Sequence, residues 1–221
     1  MSNRQDVVMK NGTVHLAVYD TLADWETGYL TAHLRNGLAH RSPGGYGVTT
    51  VGLGTGPVTT MGGVRITPDL ALDGLDPADS LMLVLPGASA WDADPEGLAP
   101  FARAARRFLD SGVPVAAICG ATGGLAREGL LDERDHTSNA PDYLAATGYN
   151  GAGRYRDEPA VTDRDVITAG ALAPIEFARE AFARLGVFEP DVLDAWYRLF
   201  AHRDAGALKV LEQAAGGTGE A

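Results

Sequence analysis

A single cysteine in 221 residues rules out an internal disulfide, so nothing in the chain signals an oxidising compartment. Positive charge is scarce as well: 18 Lys and Arg face 29 Asp and Glu, a formal net charge of −11. Phosphate backbones and anionic membrane surfaces require clustered basic side chains, so neither nucleic acid nor membrane is expected as a partner. Arg103, Arg106 and Arg107 lie at helical spacing and read as a solvated helix face. No apolar run approaches the roughly 18 residues that cross a bilayer, and Met1 to Lys10 lacks the apolar centre of an export signal. A cytoplasmic location is the resulting expectation. Metal-ligand spacings are missing too, with no His-x-x-x-His or Cys-x-x-Cys. Gly120 to Gly124 is neither a P-loop nor a complete Gly-x-Gly-x-x-Gly, which leaves phosphate binding a minor reading. No metal or cofactor is expected.

What remains is an ordinary soluble composition, 45% hydrophobic and 21% charged, in a length that suits one domain with a substantial core. Apolar runs alternate with helical patterns, the signature of an α/β fold with a mostly parallel sheet. Strands are expected at Val14–Tyr19, Tyr46–Val51, Leu81–Leu85 and Val113–Ile118, and hairpins at Thr59–Thr67 and Val161–Thr168. Helices are expected at Leu22–Asn36, Gly97–Ser111, Ala121–Leu130 and Pro174–Leu185, with Asn139 as the N-cap of a further short one. Val192, Leu193, Trp196, Leu199 and Phe200 form an amphipathic stripe that packs on the domain or on a second subunit. The chain therefore divides into a lead (1–13), an α/β domain (14–187), a C-terminal helical extension (188–215) and a flexible tail (216–221).

The cysteine, Cys119, sits where the buried strand run gives way to Gly120 and a helix. A strand-to-helix elbow lifts a nucleophile off the sheet edge, and the small residues at Ala117 and Ala121 suit so tight a turn. Amides at the helix start would favour a thiolate and a neighbouring oxyanion, whereas a plain buried cysteine is the alternative. Other loops should converge on the same rim of the sheet. Asp24-Trp25-Glu26 brings carboxylates, although Glu26 also reads as a first-turn acid of a helix. Pro86-Gly87-Ala88 offers amides at Gly87 or Ala88 that would join Gly120 N–H around an oxyanion, or else is simply a strand-ending turn. His136 is a candidate base, or a surface residue of a polar loop.

Together, Ala17–Asp20 with Ala23–Thr27, Leu83–Gly87, Val115–Gly120 with Leu125-Ala126, Glu158–Asp163 and Val166–Gly170 resemble the DJ-1/PfpI branch of the class I glutamine-amidotransferase-like superfamily. The resemblance implies a flavodoxin-like three-layer sandwich with a nucleophile elbow, usually dimeric. It makes Cys119 the elbow thiol, Glu26 its acidic neighbour, and Gly87, Ala88 and Gly120 the amide-lined pocket. Members are variously peptidases or amidases, glyoxalases, deglycases, isonitrile hydratases and stress-response proteins, so the fold does not settle the activity. Departures narrow the field. Gly120 stands where the protease-like branch has histidine and the isonitrile-hydratase branch threonine, and the latter's Thr-Thr-His-Trp segment is missing. Ser138 or Asn139 holds the place of the DJ-1-like histidine, with His136 earlier, and no His-x-Glu follows Thr168 for glutaminase chemistry.

The expected activity is thiolate attack by Cys119 on a small carbonyl, aldehyde or amide. Glu26 would shuttle the proton, His136 would serve as base, and Asp24, Trp25, Ser138 and Asn139 would line the substrate pocket. The rival is a non-catalytic redox or stress sensor that oxidises at Cys119. The expected partners are a small-molecule substrate and a second copy of the chain.

Overall fold

Met82-Leu-Val-Leu85 and Val115-Ala-Ala-Ile118 have no polar face, so each is stable as a strand only with cover on both sides. The computed structural model, which describes residues 12–217, places them inside a seven-stranded sheet. From the N-terminus the chain forms β1 (Thr13–Ala17), α1 (Gly28–Asn36), β2 (Gly47–Gly52), β3 (Val58–Thr59), β4 (Arg65–Ile66) and β5 (Leu70–Ala71). Next come β6 (Met82–Leu85), α2 (Ala90–Ala93), α3 (Pro95–Asp110), β7 (Val115–Ile118), α4 (Gly120–Arg127) and α5 (Pro141–Ala145). Last are β8 (Ala160–Asp163), β9 (Val166–Ala169), α6 (Pro174–Leu185), α7 (Pro190–His202) and α8 (Leu208–Gly217).

Strand order is β5-β2-β1-β6-β7-β9-β8, parallel throughout except that β8 runs antiparallel to β9. Registers such as Leu16↔Val84, Leu85↔Ala117 and Ile118↔Ala169 bring the carboxyl ends of β1, β6, β7 and β9 to one rim. Ligand sites of open α/β sheets form at that rim. Helices α2, α3 and α4 pack together, as do α1 and α6, which completes a flavodoxin-like three-layer sandwich. The sequence explains α3 well: Asp94 caps it through the Gly97 amide at 3.1 Å, Pro95 occupies the first turn, and Leu98, Phe101, Ala105 and Phe108 are buried at helical spacing.

The first helix is shorter than its apolar pattern suggests and begins at Gly28, not Leu22. The amides of Thr21 and Ala23 bond instead to the carbonyls of Thr59 and Gly87, and Thr21 takes a left-handed φ of 62°. Tertiary hydrogen bonds thus hold Thr21–Thr27 as a loop. Asn139 is not an N-cap either; Ala140 occupies that position. The remaining elements lie within a few residues of expectation, and α6 ends at Gly186, whose φ of 63° terminates it with bonds back to Phe182 and Ala183.

The C-terminal extension packs on the domain. Trp196 is buried, edge-on to Phe182 at 5.0 Å and to Tyr29 at 6.4 Å. Helix α8 continues through Gly217, past the point where a flexible tail was expected. The lead through residue 11 and the tail from residue 218 lie outside the described residues. Among the described residues no helix is long and apolar enough to cross a membrane.

Candidate active site

The elbow is real and strained. Cys119 has φ 58° and ψ −127°, a region that side-chain-bearing residues occupy at a cost of about 1–3 kcal/mol. Its backbone is held from both sides: its N–H donates to Ala169 O at 3.0 Å, and its carbonyl accepts from Thr122 N and Oγ1 at 3.1 and 2.6 Å. Ala117 and Ala121 are fully buried, and a Cβ at Gly120 would lie 3.1 Å from Trp91 Cβ. The turn has no room for larger neighbours.

Glu26 reaches the thiol because its loop is not helical. Its carboxyl is fully buried, Oε2 accepts the Gly87 N–H at 2.5 Å, and Oε1 has no well-aligned donor. Burial raises its pKa to about 7, against the opposing effects of the Gly87 amide and a hydrogen-bonding contact with Cys119. The Cys119 thiol is pushed up to about 11 by burial and then by the Glu26 charge, with the Asn139 amide and Gly120 N–H pulling the other way. The helix-start amides therefore do not win over desolvation, and the expected low thiol pKa is replaced by a raised one. Near neutrality the thiol keeps its proton while the carboxyl is part ionised, and each partner has donors ready for its charged form.

Gly87 makes this contact possible. A Cβ there would stand 2.7 Å from Cys119 Cβ and 2.8 Å from both Glu26 oxygens. Only glycine lets the three groups meet. Its amide, however, is committed to Glu26, so Gly87 is not an oxyanion donor. The Ala88 N–H has no acceptor among the described residues, and Gly120 N–H faces the sulfur, so those two remain for an oxyanion.

His136 is withdrawn from the chemistry. It is fully buried, with Nδ1 2.7 Å from Arg134 O and Nε2 3.1 Å from Tyr149 OH. A carbonyl only accepts, so Nδ1 carries the proton and Nε2 receives the phenol's hydrogen. Burial lowers its pKa and keeps it neutral. Asn139 stands at the sulfur instead: its Nδ2 donates to Cys119 Sγ at 3.5 Å, and its Oδ1 accepts from Ala171 N at 2.9 Å. Ser138 turns away to Thr122 Oγ1 at 2.6 Å, although it borders an adjacent cavity.

Asp24 does not face the pocket. Its two oxygens accept from Thr60 Oγ1 at 2.5 Å and Gly62 N at 2.6 Å and fasten the β3–β4 hairpin, and these bonds, led by Thr60, lower its pKa. Trp25 is half exposed, and its Nε1 donates to Ala171 O at 3.3 Å. Behind the site, Tyr19 donates to Pro86 O and accepts from Trp91 Nε1 at 3.0 Å. Tyr143 donates to Asp92 at 2.8 Å beside Gly120, and burial and Asp92 raise its pKa. Sequence reading gave neither tyrosine a role: Tyr19 falls within the Ala17–Asp20 stretch and Tyr143 has no motif, and only the fold brings them to the elbow.

The sequence and the fold, taken together, match a known group of proteins. The model of the DJ-1/PfpI family matches residues 12–184. The chain belongs to the DJ-1/PfpI family. It is 41% identical to the uncharacterized protease YoaZ of Bacillus subtilis, over 86% of this chain and 91% of that one. The thiJ/pfpI family protein of Bacillus anthracis superposes with a TM-score of 0.85 at 38% identity, covering 94% of this chain and 98% of its own. The DJ-1 superfamily protein Atu0886 of Agrobacterium tumefaciens gives 0.77 at 36% identity, covering 87% and 98%. Within this DJ-1/PfpI chain, the matched stretch ends before α7 and α8, so the extension lies beyond the family model. Among its described residues no group of His, Cys, Asp or Glu side chains is placed to hold a metal ion.

Proposed function

We propose that this protein is an enzyme in which Cys119 adds to a small carbonyl, aldehyde or amide and Glu26 manages the proton. The observation that carries this reading is the contact of Glu26 and Cys119 over the bare Cα of Gly87. A carboxylate with a pKa of about 7 is matched to proton transfer at neutral pH. As sulfur bonds to the carbonyl carbon, its proton passes to Glu26. The carbonyl π pair moves onto oxygen, where Ala88 and Gly120 N–H receive it; one such donor is worth about 2.7–4 kcal/mol. With an aldehyde, Glu26 returns the proton to that oxygen and a thiohemiacetal forms. With an amide, it protonates the departing nitrogen, and water then cleaves the thioester. Asn139 cannot exchange a proton at neutral pH, so Glu26 alone does the acid–base work. The protease name of the Bacillus subtilis relative supports the hydrolytic branch of this reading.

The test is turnover of methylglyoxal, short amides and peptides by the wild-type protein, Cys119→Ser and Glu26→Gln. Full activity in Cys119→Ser would refute the nucleophile assignment. A second reading, a redox or stress sensor, draws on the part-exposed thiol and the absence of a histidine at the sulfur. The raised thiol pKa counts against it, because oxidation follows thiolate character. Selective two-oxygen uptake at Cys119 under mild peroxide, with no turnover on any carbonyl, would favour the sensor. We propose further that the protein works as a homodimer in the cytoplasm; light scattering tests the first part and fractionation the second.

A further inference from the structure

Beside the thiol lies a cavity of about 660 Å³, bordered by Ser138, Asn139, Asp157, Glu158, Leu172 and Glu176. Asn139 is the wall it shares with the reaction centre, since the same side chain donates to Cys119 Sγ. The volume is that of an ordinary small-ligand pocket. Leu172 is 98% exposed there and presents an aliphatic surface with nothing against it.

The side-chain charge is one-sided. Among the described residues no Lys or Arg borders the cavity. The side chains of Asp157 and Glu158 make no hydrogen bond or ion pair with any described residue, whereas Glu176 accepts from Tyr197 OH at 3.0 Å. The nearby cations are committed elsewhere: Arg156 to Asp135 at 2.8 Å, Arg154 to Asp135 at 3.7 Å, and Arg179 over the Tyr197 ring at 4.7 Å. An anionic arm entering this space would meet like charge from each charged side chain that borders it, set only against the amide end of α6 at Ala173.

We propose that this cavity is a substrate subsite and that the electrophile Cys119 attacks carries a cationic group, an amine or guanidinium, on a short aliphatic arm. The arm lies along Leu172 and its charge faces Asp157 and Glu158. The assignment rests on the thiol reading above and names the class of substrate for that site.

The probes are three bromoacetamides that differ only at the end of a four-carbon chain: ammonium, methyl or carboxylate. In each, Cys119 sulfur bonds to the methylene carbon, bromide departs, and the thiol proton passes to Glu26. Second-order rates are read by mass spectrometry of the intact full chain. The expected order is ammonium over methyl over carboxylate. The ammonium-to-methyl ratio should fall about threefold or more in Asp157→Asn/Glu158→Gln, and should shrink in the wild-type protein as salt shortens the screening length. Dividing by the methyl rate removes any change in the thiol itself. Asp73→Asn/Asp110→Asn, which removes two exposed charges elsewhere, should leave the ratio within experimental error. A ratio near one in the wild-type protein, or one unmoved in Asp157→Asn/Glu158→Gln, overturns the subsite while leaving the thiol reading intact. An equal fall in the remote pair overturns it in favour of the overall charge. Failure of all three probes at Cys119 sinks the thiol reading, and the subsite with it.

Discussion

Asn139 places an amide nitrogen 3.5 Å from the Cys119 sulfur. An amide donor steadies negative charge on sulfur but does not titrate. Asn139→Ala should push the thiol pKa further up and slow iodoacetamide alkylation at pH 8 about tenfold or more, the effect of one lost hydrogen bond to a charged group. Asn139→His should introduce a new titration near pH 6–7 into the alkylation profile. An unchanged profile in both would remove Asn139 from the site.

Glu26 makes stability pH-dependent in a defined direction. Its pKa is about 7 in the folded protein against an ordinary 4.5. The unfolded chain therefore releases this proton first as pH rises. The fold loses stability across pH 4.5–7 and recovers it on acidification, by about 3 kcal/mol at most. Glu26→Gln should remove that slope, gaining on the wild-type protein between pH 5 and pH 8 in urea unfolding. A difference between the two proteins that stays flat over this range would show the carboxyl to be less buried than its surroundings indicate.

The elbow stores strain that glycine would release. Cys119→Ala and Cys119→Gly both remove the thiol, yet only the second tolerates φ 58° and ψ −127°. Cys119→Gly should be the more stable of the two by about 1–2 kcal/mol, the reverse of the usual order. Equal midpoints would mean that the backbone relaxes once the sulfur is gone.

His136 should matter for stability and not for catalysis. His136→Phe leaves Tyr149 OH and the Arg134 carbonyl without their partners and should cost about 1–3 kcal/mol. Its kcat, measured well below the melting temperature, should stay within twofold of the wild-type value. A drop of a hundredfold would restore the histidine to the mechanism.

Much of the architecture was legible residue by residue. Met82–Leu85 and Val115–Ile118 are apolar on both faces, which only a covered parallel strand satisfies. Asp94-Pro95 and Gly186 punctuate helices by capping chemistry that acts within a few residues. The elbow was legible for the same reason, as a local change from strand to helix around one thiol with small flanks. The Leu22 helix start failed because the apolar spacing around Trp25 imitates a helix, while the amides that decide the matter bond across to Gly87 and Thr59.

Composition and local pattern were enough to set the layers, the order of elements and the position of the elbow thiol, because those follow from burial periodicity and from turn chemistry over short spans. Which side chains would touch that thiol was decided only by packing. Glu26, Gly87, Asn139 and Ala171 come from four separate loops, and a shift of one or two residues in any of them exchanges a base for a strut. His136 and Asn139 are three residues apart in the chain, yet one is locked between tyrosines and the other faces the sulfur. That difference is tertiary: it depends on where Tyr149, Tyr155 and Ala171 arrive, and no short-range rule carries the information.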